Sequence, residues 1–227
     1  MPSTIIPAST GFSNSYILRG DRAVVIDAGL MGKEKKILAA LDANGIPRGN
    51  VSLIIITHCH GDHYASVKAL KEALDVPGAN VGVMAGWPDA RYMETGDSAP
   101  VVPVSLTGRI MSLFTGAKAP PCKADLIVKE DMDLRAYGVD ARVLTTPGHT
   151  TGSLSVLASD GSCAIGDMFA SLFMKNRVRM APFAEDPALI GPGLKKLVDN
   201  GAKRLYPGHG NGWDVEAVVN AFEAYKK

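Results

Sequence analysis

Five apolar runs, each followed closely by a histidine or an aspartate, are the feature that most constrains how this chain can fold. The runs are AVVI (23–26), VSLIIIT (51–57), ARVLTT (141–146), SCAIG (162–166) and RLY (204–206). β-Branched and aliphatic residues with glycine or proline just beyond them are typical of buried strands that end in tight loops. Because binding sites in open α/β sheets gather where strands give way to loops, we expect these five ends to share one edge.

Helical spacing of apolar residues appears in four other segments. They are KEKKILAALDANG (33–45), YASVKALKEALD (64–75), the stretch that follows Pro192, and DVEAVVNAFEAY (214–225). Each apolar stripe predicts a helix that packs on the core, and Gly45 stands where a C-terminal cap would lie. Residues 85–125 contain five prolines and show no clear period. We therefore predict a single domain over residues 1–227, with a lid or insertion at 85–125.

Composition and charge exclude several classes of partner. Lys+Arg 24 against Asp+Glu 23 leaves a net charge of +1, which gives no electrostatic basis for binding nucleic acid or an anionic membrane. The N-terminus has no basic region followed by an apolar stretch, and no run approaches the roughly 20 apolar residues of a membrane span. Cys59, Cys122 and Cys163 are far apart, which favours reduced thiols. We expect a soluble, cytoplasmic protein with a small-molecule substrate; its oligomeric state stays open.

All five histidines of the chain lie in loops just after predicted strands: His58, His60, His63, His149 and His209. Imidazole and carboxylate groups are good ligands for Zn²⁺ and related first-row ions. In an extended segment side chains alternate, so His58, His60 and Asp62 would point one way and His63 another. With Asp62 and Asp167 the ligand-type groups number seven, which suits a pair of ions with a carboxylate between them. The same alternation turns Cys59 away, as a small buried filler.

Four motifs in this order carry a resemblance to a known family. They are His58-Cys59-His60-Gly61-Asp62-His63, Pro147-Gly148-His149, Gly166-Asp167 and Pro207-Gly208-His209-Gly210. The pattern resembles that of the metallo-β-lactamase superfamily of metal-dependent hydrolases, over residues from about 14 to 209. The resemblance implies an α/β fold, an αββα four-layer sandwich in which two mixed sheets are flanked by helices, with the site at one edge.

The resemblance also implies a role for each ligand. His58, His60 and His149 would hold one metal ion, and Asp62, His63 and His209 would hold the other. Asp167 would bridge the two ions. Asp27 matches a position whose carboxylate steadies the ligands, and such a role is reasonable because ligating imidazoles need their other N–H held. The alternative for Asp27 is a turn or helix-capping aspartate.

Particular residues favour one branch of the family. Asp167 and His60 resemble the glyoxalase II and lactonase branch rather than the antibiotic-hydrolysing or flavodiiron enzymes. Two departures from the glyoxalase II pattern make glutathione thioesters a weaker candidate for the substrate. The segment after Asp167, MFASLFMKNRVRMAPF (168–183), lacks the Gly-Cys-Gly-Arg stretch of glyoxalase II, and only residues 211–227 follow the last motif.

We therefore predict a binuclear hydrolase that cleaves an ester, thioester or lactone-type bond. A water bridged between two divalent ions, Zn²⁺ with Fe or Mn as alternatives, would have its pKa lowered from about 15.7 to about 7 and attack the carbonyl. Asp62 would carry the proton to the leaving group. Two alternatives are an iron-dependent oxidoreductase similar to the persulfide dioxygenases and a non-catalytic metal-binding protein.

The 168–183 segment has two interpretations. Its apolar residues could form a lip beside the metals, and its basic residues could meet an anionic substrate group. The apolar set is Met168, Phe169, Leu172, Phe173, Met174 and Met180, and the basic set is Lys175, Arg177 and Arg179. The alternative is ordinary core packing together with a solvated run of charges.

Overall fold

Two six-stranded sheets form the centre of the protein in a computed structural model, which describes residues 3–112, 116, 118–171 and 177–225. The first sheet holds, side by side, β1 (Thr4–Ser9), β2 (Asn14–Arg19), β3 (Ala23–Ile26), β4 (Val51–Ile56), β5 (Gly82–Gly86) and β6 (Leu126–Val128). β1, β2 and β3 pair antiparallel, and the pairs from β3 to β6 are parallel. The first sheet is therefore mixed.

The second sheet is also mixed. Its strands are β7 (Met132–Asp133), β8 (Ala141–Thr145), β9 (Leu154–Ala158), β10 (Ser162–Ala164), β13 (Arg204–Tyr206) and β14 (Trp213–Asp214). They lie in the order β14-β13-β10-β9-β8-β7, and only β10 and β13 pair in parallel. A separate two-stranded ribbon joins β11 (Phe169–Ala170) to β12 (Arg179–Met180).

Helices cover the outer faces of both sheets. The helices of the described residues are α1 (Glu34–Ala43), α2 (Gly61–Tyr64), α3 (Val67–Leu74), α4 (Ala90–Thr95), α5 (Leu106–Met111), α6 (Ile190–Asp199) and α7 (Val215–Tyr225). Side chains of α1 and α3 share a core cluster with the first sheet, and those of α6 and α7 share one with the second sheet. A third cluster fills the space between the sheets. The predicted αββα four-layer sandwich is confirmed.

Strand β4 shows how the sequence produces these layers. All six of its residues are buried. Leu53 and Ile55 belong to the cluster between the sheets, whereas Ile54 and Ile56 belong to the cluster under α1 and α3. Because side chains alternate along a strand, a nearly continuous apolar run, broken here only by Ser52, is what a strand covered on both faces requires.

The five predicted strands occur as β3, β4, β8, β10 and β13, within two residues of their expected ends. β3 and β4 run parallel, as do β10 and β13, and β8 lies two antiparallel pairings away from β10. Within each sheet these strands therefore end at the same edge, as expected from the residues that follow them.

Three of the four predicted helices occur as α1, α3 and α7, and Gly45 after α1 has the left-handed φ of 64°. The fourth, α6, begins at Ile190 rather than after Pro192. The reason is a preceding 3-10 turn, Pro187–Leu189, which Asp186 caps through a bond from the Ala188 amide. Among the described residues, no helix has the length and apolarity that a bilayer crossing would require.

Candidate metal centre

Seven ligand-type side chains meet at the shared edge of the two sheets. His58 and His60 follow β4, and the short helix α2 carries the next two ligands of the same loop. The other three follow β8, β10 and β13. All five histidines and Asp167 are buried. The seven are His58, His60, Asp62, His63, His149, Asp167 and His209.

These side chains form three overlapping sets whose ligand atoms lie within 4.8 Å of one another. We call His58, His60 and His149 the three-histidine group, and Asp62, His63 and His209 the aspartate–histidine group. The third set joins them, because it contains His58, His63 and Asp167. The structure thus brings together every residue that the sequence analysis proposed as a ligand.

Asp167 lies between the two groups. Its Oδ1 is 3.4 Å from Nε2 of His63, and its Oδ2 is 3.4 Å from Nε2 of His209. The same Oδ2 lies 3.9 Å from Nε2 of His149 in the three-histidine group. A carboxylate in this place can offer one oxygen to each of two neighbouring cations.

Three buried ligand atoms receive no hydrogen bond from any residue that the structure describes: Nε2 of His58, Nε2 of His63 and Oδ1 of Asp167. An unsatisfied buried polar atom costs about 1–3 kcal/mol. The three residues that carry these atoms make up the third of the overlapping sets. Cations in the two groups, with Asp167 between them, would satisfy all three, so the donor set fits the divalent cations that the motifs imply.

Backbone carbonyls hold the outer nitrogens of two histidines. Nδ1 of His149 donates to the carbonyl of Phe183 over 2.8 Å, and Nδ1 of His209 donates to the carbonyl of Phe12 over 3.0 Å. A proton held at Nδ1 leaves Nε2 with a free lone pair directed inward. His60 is reversed, because its Nδ1 faces inward and lies 3.0 Å from Nε2 of His149.

The carboxylate of Asp27 supports His63. Its Oδ2 accepts from Nδ1 of His63 over 2.8 Å, and the carboxylate also accepts from the hydroxyl and the amide of Thr57, over 2.8 and 2.7 Å. Asp27 has the left-handed φ of 61°, unusual for any residue other than glycine. In this conformation the carboxylate faces the ligand loop.

The pKa values divide the centre into two parts. Burial lowers the pKa of His58 well below 6.5 and that of His60 to about 4, and the neighbouring histidine charges add to this effect. Burial also lowers the pKa of His149. The three-histidine group is therefore neutral at pH 7, which is the form of imidazole that binds a metal.

The aspartate–histidine group is charged instead. Burial opposes the charge on His63, but the carboxylates of Asp62, Asp167 and Asp27 outweigh it and raise the pKa of His63 to about 9. The pKa of His209 is raised in the same way, above all by Asp167. Burial likewise opposes ionisation of Asp62, yet the His63 and His209 charges lower its pKa to about 2. Without metal, imidazolium and carboxylate neutralise each other here.

This division predicts proton release on metal binding. A raised pKa keeps a proton on His63 and on His209 at pH 7, so a cation entering the aspartate–histidine group must displace about two protons. Its affinity should rise with pH through about 9, where His63 loses its proton, whereas the affinity of the three-histidine group should be flat above about pH 6.5, the ordinary pKa of histidine. Calorimetry of the apo-protein with Zn²⁺ in two buffers of different ionisation enthalpy measures the protons released. Release of no proton at pH 7 would contradict the assignment.

The predicted direction of the Asp62 side chain, which assumed that side chains alternate along an extended loop, is wrong. We expected it on the side of His58 and His60, but it lies with His63, 3.0 Å from Nε2 of His209. The chain leaves the extended conformation after His60 and enters helix α2 at Gly61. In a helix, neighbouring side chains no longer point to opposite sides, so Asp62 and His63 reach the same cation site. The prediction that Cys59 is a buried core residue is confirmed.

Asp89 is a residue that the sequence analysis missed. It is fully buried and its carboxylate accepts hydrogen bonds from Cys59, Thr150 and Gly152. Cys59 lies between two ligand histidines, and Thr150 follows a third. Asp89 lies in the proline-rich 85–125 region, where neither a motif spacing nor a predicted strand end indicated a functional role.

The N-terminal hairpin is tied to the last ligand loop. The Asn14 amide donates to the carbonyl of Gly208 over 2.7 Å, and its side chain donates to the carbonyls of Pro207 and Gly210 over 3.1 and 2.7 Å. The hydroxyl of Tyr16 also donates to Pro207, over 2.6 Å. Strand β2 therefore fixes the loop that carries His209.

The 168–183 segment divides between core and surface. Met168 and Phe169 are buried in the cluster under α6 and α7, as the core-packing alternative requires, and Arg177 and Arg179 are exposed. Leu172, Phe173, Met174 and Lys175 lie outside the described residues. A cavity of about 850 Å³ is lined by this segment and by the start of α5. Its wall at Ser171 adjoins the ligand loop, since the Ser171 amide donates to the carbonyl of His209 over 3.1 Å.

Comparison with known proteins finds relatives along most of the chain. The family model described as the metallo-beta-lactamase superfamily matches residues 8–209. The probable metallo-hydrolase MJ0888 of Methanocaldococcus jannaschii is 30% identical over 203 residues, which cover 87% of each chain. A hydroxyacylglutathione hydrolase of Alkalilimnicola ehrlichii is 30% identical over 91% of this chain and 65% of that enzyme. The crystal structure of TTHA1623 in a di-iron-bound form superposes with a TM-score of 0.64 at 28% identity, covering 97% of this chain and 98% of that one.

The four-layer αββα sandwich, the histidine and aspartate groups that could hold divalent cations, and the match to metallo-hydrolases together indicate a metal-dependent hydrolase. The chain belongs to the metallo-beta-lactamase superfamily.

Proposed function

We propose that this protein is a binuclear hydrolase that cleaves an ester, thioester or lactone-type bond in a small molecule. The observation that carries the proposal is the position of Asp167 between two complete ligand groups, within 4 Å of histidines from both. A single-ion site would need only one of the groups. Two ions that share a carboxylate are the arrangement used to hold both the attacking and the leaving oxygen of a hydrolysis.

The ligand assignment follows from the sets described above. The three-histidine group would hold one cation and the aspartate–histidine group the other, with Asp167 between them. Bound there, the cations would acidify a water molecule and polarise the carbonyl of the substrate. Asp27 keeps the Nδ1 proton of His63 in place, which directs Nε2 of that ring to the cation.

Asp62 is the group placed to move a proton. Its side chain is 20% exposed and so is the most accessible of the seven, whereas the five histidines and Asp167 are buried. Its Oδ2 lies 3.0 Å from Nε2 of His209. An ionised carboxylate in this accessible position can accept the proton of the nucleophilic water and pass it to the leaving group.

The cavity beside Ser171 is the proposed place for the non-reacting part of the substrate. Its lining is mainly apolar, with Arg177 and Arg179 at the side. An acyl group that carries an acidic end would bury its carbon chain there and meet a guanidinium.

Iron and a non-catalytic role are the competing interpretations. The similar protein TTHA1623 has been crystallised in a di-iron-bound form, and iron in this centre would support the oxidative alternative. Zn²⁺ is proposed because imidazole and carboxylate ligands suit it and because hydrolysis needs no redox change. A full set of seven ligands favours catalysis over simple metal storage.

A substrate panel tests the proposal. Apo-protein reconstituted with Zn²⁺, Mn²⁺ or Fe²⁺ is assayed against thioesters, lactones, phosphodiesters and β-lactams. We expect metal-dependent hydrolysis of at least one thioester or lactone, and Asp62→Asn should lower that rate by about 10²–10⁴-fold. Turnover that consumes oxygen only with Fe²⁺ would support the oxidative alternative instead. Hydrolysis confined to phosphodiesters or β-lactams would overturn the proposed substrate class.

A further inference from the structure

We propose that Asp89 is a positioning residue for the three-histidine group, the counterpart of Asp27 in the other half of the centre. The inference rests on the proposed metal centre, and it concerns a residue outside the seven ligands. It follows from what the carboxylate of Asp89 contacts, from what it does not contact, and from the space around it.

The carboxylate joins the two loops that carry the three-histidine group. Oδ2 accepts from the amide of Cys59 over 2.8 Å and from the hydroxyl of Thr150 over 2.9 Å. Oδ1 accepts from the amide of Gly152 over 2.9 Å. Cys59 separates His58 from His60, and Thr150 directly follows His149. One side chain therefore holds both loops at once.

Asp89 could satisfy its carboxylate more simply. It occupies the N-terminal cap position of α4, where an aspartate ordinarily accepts from the amides of the first helical turn. Its side chain makes no such bond. Both oxygens are directed at the ligand loops, which indicates that the residue serves those loops rather than its own helix.

The contact leaves no space for adjustment. A Cβ at Gly152 would overlap Oδ1 of Asp89, and a Cβ at Gly86 would overlap the Gly152 carbonyl. The hydroxyl of Thr150 also lies 2.8 Å from that of Ser153, which accepts from the Thr150 amide over 3.0 Å. The loop of residues 147–152 is thus held against Asp89 at Thr150 and at Gly152.

The consequence is a fixed separation between histidines of different loops. Nδ1 of His60 lies 3.0 Å from Nε2 of His149, and the two rings come from the two loops that Asp89 joins. Asp27 acts on the other half, since it contacts His63 directly and Thr57 behind it. Each half of the centre therefore has its own buried carboxylate.

Zn²⁺ affinity in single-site backgrounds tests this division. His209→Ala leaves only the three-histidine group intact, and His149→Ala leaves only the aspartate–histidine group. The dissociation constant for Zn²⁺ is measured by competition with a chromophoric chelator, with no substrate present. Asp89→Asn offers one acceptor to three donors, so it should weaken Zn²⁺ binding about tenfold or more in the His209→Ala background and less than about threefold in the His149→Ala background. Asp27→Asn, which tolerates the left-handed φ, should show the reverse.

A carboxylate in the same region supplies the matched control. Asp125 accepts from the amide of Val83 in β5 over 2.8 Å and contacts none of the seven ligands. Asp125→Asn should leave both dissociation constants within about twofold of the parent. Equal weakening of both backgrounds by Asp89→Asn, or none in either, would overturn the positioning role.

Thr150 keeps the inference testable if Asp89→Asn does not fold. Thr150→Val removes one of the three bonds to Asp89 and should weaken Zn²⁺ binding about threefold or more in the His209→Ala background, while Thr150→Ser restores it. Unchanged affinity in Thr150→Val would overturn the role. Wild-type protein that binds no ion would overturn the metal centre and this inference together, whereas a two-ion protein without hydrolase activity would overturn only the proposed function.

Discussion

Asp167→Ala is expected to lose at least one metal ion and to lower turnover by about 10²-fold or more. The carboxylate lies between the two ligand groups, within 3.4 Å of His63 and His209 and 3.9 Å of His149. Removing a partner that merely supports a ligand typically costs 10–100-fold in metal affinity or activity, so removing the proposed bridge should cost at least the upper end of that range. Two cations without the carboxylate between them would also repel each other.

Metal content by elemental analysis and turnover on any substrate found in the panel measure this effect. Asp131→Ala is the control, because its carboxylate pairs with Lys196 at the surface, over 2.6 Å, and contacts no ligand. The control should keep two ions per chain and its full rate. An Asp167→Ala protein with two ions and wild-type turnover would show that Asp167 is not the bridge.

Gly208→Ala is expected to disable the aspartate–histidine group although it removes no ligand. A Cβ at this position would overlap Oδ1 of Asp167 and would lie 2.5 Å from Cε1 of His63. The backbone cannot move away easily, because the Gly208 amide donates to the carbonyl of Gly166 over 2.7 Å and its carbonyl accepts from Asn14 over 2.7 Å. We expect Zn²⁺ binding at this group to weaken about tenfold or more, and stability to fall by about 1–3 kcal/mol from overpacking.

Gly49→Ala separates this steric effect from the general cost of replacing glycine. The nearest atom to a Cβ at Gly49 is Cγ2 of Val76 at 3.4 Å, which is an ordinary contact. The control should bind two ions with wild-type affinity. Titration of each apo-protein with Zn²⁺, together with urea unfolding, gives both quantities. Normal binding by Gly208→Ala would mean that the PGHG loop can shift without disturbing Asp167 or His63.

Much of the fold was predictable because its strands can be recognised from short stretches of the sequence. β3, β4, β8, β10 and β13 are apolar runs that stop at a glycine, a proline or a ligand, and each appears where the sequence placed it. The presence of two sheets rather than one was not a local property. It came from resemblance to a family, since strand order depends on contacts between residues far apart in the chain.

The site was predictable in its members and less so in its geometry. The ligands could be recognised from the chemistry of histidine and aspartate. The change from extended loop to helix at Gly61, which determines where Asp62 lies, could not be recognised, because a helix of four residues is too short to show an apolar period. Asp89 was missed for a related reason. A buried carboxylate that accepts from backbone amides has no partner that a sequence reveals, and only the folded chain brings Cys59 and Gly152 to it.

The bonds between the first hairpin and the last ligand loop bear on when the metal centre can form. The side chain of Asn14 reaches Pro207, 193 positions away, and the proposed ligands themselves extend from residue 58 to residue 209. A nascent or partly folded chain therefore lacks the complete metal centre, because contacts of such long range form late in folding. Cations that bind only the completed form stabilise it by mass action, by about 4 kcal/mol at a thousand times the dissociation constant. We therefore expect metal ions to stabilise the folded protein rather than to initiate its folding.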